Sequence, residues 1–304
     1  TVKRIAVIGG GPSGLSAAYY LQLMGHQVTV YEKRSKLGGM LLYGIPSYRL
    51  PRERLQEDVD VILSTGVVAK TNTTIGGENG EITMQDLREQ YDAVYISIGA
   101  HTDKKMGIEG EDSQGVISAV EMLREVGRNR MPDFKGKRVV VIGGGNVAMD
   151  CTRSAIRLGA DKVTCVYRRR KKDMTALSDE VEGAIAEGAE ILELHAPERI
   201  QADENGKVTA LIASKKMAGL IKGGRPSPAA SGEPAIPCDV VIVAIGQGIE
   251  TRHFEDAGIP IKRGVIEAEN WAEVAHAPGV FAPSPDRRRP SPGPDFWPAA
   301  RAAG

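Results

Sequence analysis

The chain has 304 residues, in which 39 Lys and Arg balance 39 Asp and Glu, with 36 Gly, 17 Pro and 3 Cys. That length suits about two domains of roughly 150 residues, and zero formal net charge argues against a protein built to bind nucleic acid or an anionic membrane, both of which call for a cationic surplus. Cys151, Cys165 and Cys238 form no CxxC pair or metal-ligand cluster, which argues against disulfide staples and against zinc or iron–sulfur ligation within this chain. With no apolar run of ~18 residues and no secretory leader, a soluble protein of a reducing cytoplasm is expected. Thr1 stands where an initiator Met would, so residues are expected to have been removed upstream.

The first readable element is the apolar run of residues 3–8, which enters Gly9-Gly10-Gly11-Pro12-Ser13-Gly14. A short unbroken apolar run fits a strand buried on both faces. Residues 15–24 have helix composition and stop at Gly25, and residues 27–32 supply a second β-branched strand closed by Glu32. In such a βαβ unit each glycine has its own duty. Gly9 permits the tight turn, Gly11 lets backbone approach a pyrophosphate, and Gly14 lets the helix close on the strand. The helix N-terminus offers free N–H groups to the phosphates, and Glu32 is placed to accept hydrogen bonds from an adenosine ribose.

Residues 33–46 form a glycine-punctuated loop too apolar for idle surface. Behind Pro51, Leu55, Val59, Ile62 and Leu63 recur at helical spacing, and this helix is read as scaffold. Residues 94–100 and 240–246 are two strands that end in small-residue turns. Paired turns of this kind mark crossovers where a chain leaves one nucleotide domain and returns to it, which places Gly99 and Gly246 beside two cofactors. Residues 103–247 are then an insertion between 1–102 and 248–304. Within the insertion, residues 219–237 are rich in Gly, Pro and Ser and read as a loop.

At an offset of 134 the opening pattern returns as Lys137-Arg138-Val139-Val140-Val141-Ile142-Gly143-Gly144-Gly145-Asn146-Val147-Ala148. Ala148 takes the place of the third glycine, an accepted variant because a methyl still permits close packing. A helix is expected through residues 149–158 and a strand over 162–167. Here the strand runs into Tyr167-Arg168-Arg169-Arg170-Lys171-Lys172, with no acid at the ribose position. A carboxylate suits a free 2′-hydroxyl and repels a 2′-phosphate, whereas arginines bind that dianion. The first loop therefore fits FAD and the second NADPH. The five histidines show no HxxxH or HxH spacing and read as ordinary surface or core residues. No catalytic triad is suggested, and hydride transfer needs none, because the cofactors carry that chemistry.

These motifs resemble the small (beta) subunit family of bacterial NADPH-dependent glutamate synthase, whose flavoprotein module also occurs in dihydropyrimidine dehydrogenase and in bifurcating ferredoxin:NADP oxidoreductases. The matching residues are 9–14, the block Gly38-Gly39-Met40-Leu41-Leu42-Tyr43-Gly44-Ile45-Pro46-Ser47-Tyr48-Arg49-Leu50-Pro51, 143–150, 157–160 and 167–169. The YGIPxxRLP block is the most specific of them. The resemblance implies an α/β fold of two Rossmann-like nucleotide-binding domains, the NAD(P)-binding one inserted into the FAD-binding one. Gly9, Gly11, Pro12, Ser13, Gly14, Glu32, Lys33, Gly39, Met40, Leu42, Arg49 and Gly99 would then contact FAD. Gly143, Gly145, Asn146, Val147, Asp150, Arg168, Arg169 and Gly246 would line the NADPH site.

In that family NADPH gives a hydride to FAD, and the electrons leave singly through iron–sulfur clusters to a partner, such as a large glutamate synthase-type subunit. The family's cluster-binding domain lies upstream of the module, which agrees with a start at Thr1. Alternatives are a ferredoxin or flavin reductase with another acceptor, and a non-catalytic nucleotide-binding fragment. Thioredoxin-reductase-like chemistry is disfavoured, since it needs a redox cysteine pair. The chain departs from the family after Pro278-Gly279-Val280-Phe281-Ala282: a Pro- and Arg-rich tail follows, in which Asp286 lacks the glycine expected before it, and six prolines from residue 283 on exclude a continuous helix. An incomplete flavin site with reduced FAD affinity is expected on that side.

Overall fold

A computed structural model describes residues 1–77, 80, 82–217, 227–228, 234–268 and 272–283. The chain divides into two compact units. One is made of Thr1–Leu42, Ser47–Thr102 and the chain from Gly248 on, the other of Tyr43–Pro46 and Asp103–Gln247.

The first unit contains β1 (Arg4–Ile8), α1 (Pro12–Leu23), β2 (Gln27–Tyr31), α2 (Met40–Tyr43), α3 (Arg52–Ser64), β3 (Val68–Lys70), α4 (Met84–Gln90) and β4 (Ala93–Ile96). Its sheet runs in the order Val280–Phe281, β4, β1, β2, β3, with every pairing parallel. β1 is covered on both sides, as its unbroken apolar sequence requires. Ile5 and Val7 pack with Ala17 and Leu21 of α1, while Ala6 and Ile8 pack with Leu87 of α4 and Phe254. The scaffold helix α3 is present, and its Leu55 and Val59 pack on Leu15. A capping box starts α4: the Asp86 amide donates to Thr83 Oγ1 (3.1 Å) and the Thr83 amide to Asp86 Oδ2 (2.7 Å).

The second unit repeats this plan with β5 (Val116–Ser118), α5 (Ala119–Gly127), β6 (Arg138–Ile142), α6 (Asn146–Arg157), β7 (Lys162–Tyr167), α7 (Ser178–Ala186), β8 (Glu190–Glu193), β9 (His195–Ala202), β10 (Val208–Met217), β11 (Ala235–Pro237) and β12 (Val240–Val243). Its parallel sheet runs β5, β12, β6, β7, β8. Strand order is the same in both units, but the outermost strand comes last in the chain in the first and before the glycine loop in the second. Both sheets place a glycine loop at the C-terminal edge of a central strand, the edge where open α/β sheets bind ligands.

The antiparallel layer β9, β10, β11 corrects the sequence reading. Residues 195–217 carry no strand pattern that the sequence reading uses, and of the loop expected over 219–237 most lies outside the described residues, while Ala235, Ile236 and Pro237 are a strand paired with Ile212, Leu211 and Ala210. Ser227–Pro228 likewise pairs with Lys216 and Met217. Pro237 and Pro197 disguise these strands. Pro197 sits where the register of β9 shifts, a place at which a strand tolerates its missing N–H. The layer packs Ile200, Val208 and Leu211 on Val140 and Ile142 of β6.

The strand-opening residues Arg4 and Arg138 of the two repeats are anchored alike through their backbone amides. The Arg4 amide donates to Asp92 Oδ2 at 2.7 Å and the Arg138 amide to Asp239 Oδ2 at 2.8 Å. The guanidinium of Arg138 also grips both Asp239 oxygens, at 3.0 and 2.8 Å. Those bonds hold the Asp239 carboxyl down to about 2. Because this pKa is depressed in the folded chain, the stabilisation is complete above the ordinary carboxylate range near ~4 and is lost as pH falls towards about 2. Asp239→Asn is expected to lower the melting temperature at neutral pH and to flatten its fall between about pH 5 and 3. Thermal melts followed by circular dichroism check this, and parallel curves for parent and variant contradict it.

Candidate active site: two glycine loops

In the first unit a cleft of about 490 Å³ opens at the end of β1. Nine of the residues expected at FAD line it: Gly9, Gly11, Pro12, Ser13, Glu32, Lys33, Gly39, Met40 and Gly99. Gly14, Leu42 and Arg49 do not. Gly14 lies beneath the loop, against the Gly9 carbonyl and Ser97. Glu32 is buried and holds the loop: its Oε2 accepts from the Gly10 amide and its Oε1 from the Arg34 amide, both at 2.8 Å. Each oxygen keeps a second lone-pair direction for a ribose hydroxyl. The segment after Glu32 returns to the loop, where the Gly38 amide donates to the Gly10 carbonyl at 2.7 Å. At Gly39 (φ +53°) a Cβ would fall 2.6 Å from Gly11 Cα. The two glycines thus form a bare backbone cradle at the N-terminus of α1, and this cradle fits the pyrophosphate of a dinucleotide.

Several cleft residues had no sequence signal. Residues 73–77, the loop after β3, form one wall, and Ser97, Glu250, Phe254 and Pro283 contribute to others. His101 and His253, read as ordinary residues, both face the cleft. His101 Nδ1 lies 3.5 Å from Arg34 Nη2, and burial pushes the His253 pKa down. The tail that was expected to leave the flavin site incomplete, with Asp286, lies outside the described residues.

The second unit carries the matching loop with different chemistry. Gly143 donates to the Val166 carbonyl at 3.1 Å, as Gly9 does to Tyr31 at 2.8 Å, and Ile142 pairs with Val166 as Ile8 pairs with Tyr31. By this register Tyr31 corresponds to Val166, so Tyr167 occupies the position of Glu32, and Arg168 and Arg169 those of Lys33 and Arg34. Arg168 is exposed and Arg169 half-buried, and neither makes an ion pair among the described residues. Arg170 is spent on Asp173, with contacts of 2.7 and 3.2 Å. Here too the chain returns to its loop. The amides of Thr175 and Ala176 both donate to the Gly144 carbonyl at 3.0 Å, and the Leu177 amide donates to Asn146 Oδ1 at 2.9 Å. Gly145 lies beside Thr175, while Val147 and Asp150 belong to the first turns of α6, Val147 packed on the core and Asp150 buried. Gly246 (φ +127°) follows β12 and adjoins the Lys104 side chain. Two unpaired arginines beside a glycine loop fit a dinucleotide bearing a 2′-phosphate.

Cys151, Cys165 and Cys238 are free and buried. Burial pushes the Cys165 thiol up to about 12 and the Cys238 thiol to about 11. Protonated, enclosed thiols are poor nucleophiles, which leaves no disulfide-exchange chemistry to these residues. Among the described residues no group of three or more His, Cys, Asp or Glu could hold a metal ion, and no helix is long and apolar enough to cross a membrane.

Two doubly wound parallel-sheet units, each with a dinucleotide loop, define the fold of the FAD- and NAD(P)H-using oxidoreductases. Residues 3–304 match the family model of the pyridine nucleotide-disulphide oxidoreductases, and the chain belongs to that family. It is 42% identical over 285 residues to the NADP(+)-dependent formate dehydrogenase subunit beta of Moorella thermoacetica, covering 92% of this chain and 40% of that protein. It is 36% identical over 259 residues to the glutamate synthase [NADPH] small chain of Escherichia coli, covering 81% of this chain and 54% of the relative. The resemblance drawn from the motifs therefore holds, and the chain is an oxidoreductase module of the class that pairs FAD with NAD(P)H. It spans less than half the length of the formate dehydrogenase subunit. Among solved structures, FprA of Mycobacterium tuberculosis in complex with NADPH superimposes with a TM-score of 0.75 at 20% identity, covering 93% of this chain and 78% of the other.

Proposed function

We propose that this chain is the NADPH-oxidising, FAD-carrying electron-input module of a larger enzyme of the glutamate synthase small-chain type. The observation that carries the reading is the contrast at one structural position: a buried carboxylate, Glu32, closes the first loop, and Tyr167 followed by two arginines that make no ion pair among the described residues closes the second. In this reading residues 1–102 and the chain from 248 on bind FAD, and residues 103–247 bind NADPH. Gly11 and Gly39 admit the FAD pyrophosphate, the N–H groups at the start of α1 neutralise it, and Glu32 holds the adenosine ribose. Gly145 and the start of α6 do the same for NADPH, while Arg168 and Arg169 hold its 2′-phosphate. FAD, when bound, supplies hydride acceptance from NADPH and single-electron release.

The acceptor fits an iron–sulfur protein or domain outside the described residues. The curated relatives support a partner, because the first of them is a subunit by name, and the buried, protonated cysteines supply no exit of their own. The test is anaerobic stopped-flow mixing of the FAD-reconstituted chain with NADPH. Loss of oxidised-flavin absorbance is expected, faster with NADPH than with NADH. A flavin that stays oxidised overturns the reading.

A further inference from the structure

The internal repeat provides its own control for cofactor choice. In the first unit the Gly10 amide and the Arg34 amide draw the Glu32 carboxylate onto the ribose edge of the loop. In the second unit the corresponding residues are Gly144 and Arg169, and by strand register Tyr167 stands at the position of Glu32. Gly144 is buried, and its N–H finds no hydrogen-bond partner among the described residues. The Tyr167 ring covers it so closely that a Cβ on Gly144 would press on the ring, 2.5 Å from Cδ2 and 2.8 Å from Cζ. The ring is held in place from its other end, where the hydroxyl donates to the Asp173 carbonyl at 2.9 Å. Asp173 is itself fixed by Arg170.

We propose that Tyr167 is the specificity-determining residue of the second unit. Its ring fills the space that the first unit gives to a carboxylate, keeps negative charge off the ribose edge and leaves Arg168 and Arg169 un-neutralised for a 2′-phosphate. The inference rests on the proposed NADPH reading and adds to it a repulsive element. Arginines attract the phosphate, but discrimination also depends on what stands at the acid position. A carboxylate placed there meets the vacant Gly144 N–H and is pulled into the Glu32 geometry, where it accepts from a 2′-hydroxyl and repels a 2′-phosphate.

The test is calorimetric titration of the full chain with 2′,5′-ADP and with 5′-AMP, probes that differ by the 2′-phosphate and need no flavin reaction. The parent is expected to prefer 2′,5′-ADP by at least about tenfold. In Tyr167→Glu the ratio of the two affinities should fall at least about tenfold, through weaker 2′,5′-ADP and tighter 5′-AMP binding. Tyr167→Asp carries the same charge with less bulk and reads the same ratio where the Glu variant does not fold. Tyr167→Phe should keep the parent ratio within about threefold, because the ring and not the hydroxyl fills the space. A parent-like ratio in the acidic variants, or a collapsed ratio in Tyr167→Phe, overturns the proposal and leaves the NADPH reading standing. No preference in the parent overturns the NADPH reading and this proposal with it.

Discussion

Gly14→Ala is expected to destabilise the first unit by about 3 kcal/mol, at the upper end of what overpacking costs, and to weaken FAD binding with it. A methyl at Gly14 would collide with the Gly9 carbonyl and lie 2.7 Å from Ser97 Oγ and 3.1 Å from Val7 Cγ1. None of these can yield cheaply. The Gly9 carbonyl is backbone of the glycine loop, Ser97 Oγ is fixed by bonds to the Ile8 and Gly9 carbonyls at 3.0 and 3.2 Å, and Val7 is fully buried. The remaining response is for α1 to back away from β1, which carries its N-terminal N–H groups out of the cradle. The second unit holds a methyl at the same place, Ala148, and shows what accommodation needs. Ala244 stands where Ser97 does, without a hydroxyl, and the loop backbone differs, with φ +154° at Gly143 against +105° at Gly9. Ala148→Gly should accordingly cost less, about 2 kcal/mol, the helix-propensity difference plus the loss of one buried methyl. Thermal melts and FAD titration of the two variants check this pair of expectations. A Gly14→Ala protein with parental melting temperature and FAD affinity contradicts the first.

The parts of this molecule that were legible in its sequence are those whose physics is local. A glycine loop between an apolar strand and a helix is written in about a dozen consecutive residues, so both loops, their strands and the scaffold helix α3 stood where the pattern placed them. The antiparallel layer was hidden because its strands carry Pro197 and Pro237, and they become strands only by packing on a sheet formed elsewhere in the chain. The cleft walls were hidden for a related reason. Residues 73–77 and His253 meet only in three dimensions, at the close approach of Gly76 to the His253 ring, where a Cβ would lie 3.2 Å away.

The equivalence of Tyr167 and Glu32 was obscured by a single residue. The loop from α6 to β7 is one residue longer than that from α1 to β2, so the sequence offset of 134 changes to 135 before the decisive position, and only the strand register shows it. The basic run was legible as a 2′-phosphate signal but not in how its arginines divide. Its third arginine is bound to Asp173, a partition that depends on a turn over Lys171–Asp173.

That partition sets the expectation for the arginines. Removing both cations in Arg168→Ala, Arg169→Ala should weaken NADPH by about 2 to 5 kcal/mol, the worth of one to two charge-assisted phosphate contacts, while NADH, which lacks the 2′-phosphate, changes by less than about 1 kcal/mol. Arg170 cannot replace them in place, because its guanidinium already spans both oxygens of Asp173 at 2.7 and 3.2 Å. Nor can the glycine loop compensate: the pyrophosphate contacts it offers are common to both cofactors, so they set the shared affinity and not the difference. The selectivity is therefore expected in the two side chains that make no ion pair among the described residues. Binding titrations of both cofactors to the double variant measure that difference directly, and an equal loss for NADPH and NADH would place the 2′-phosphate elsewhere.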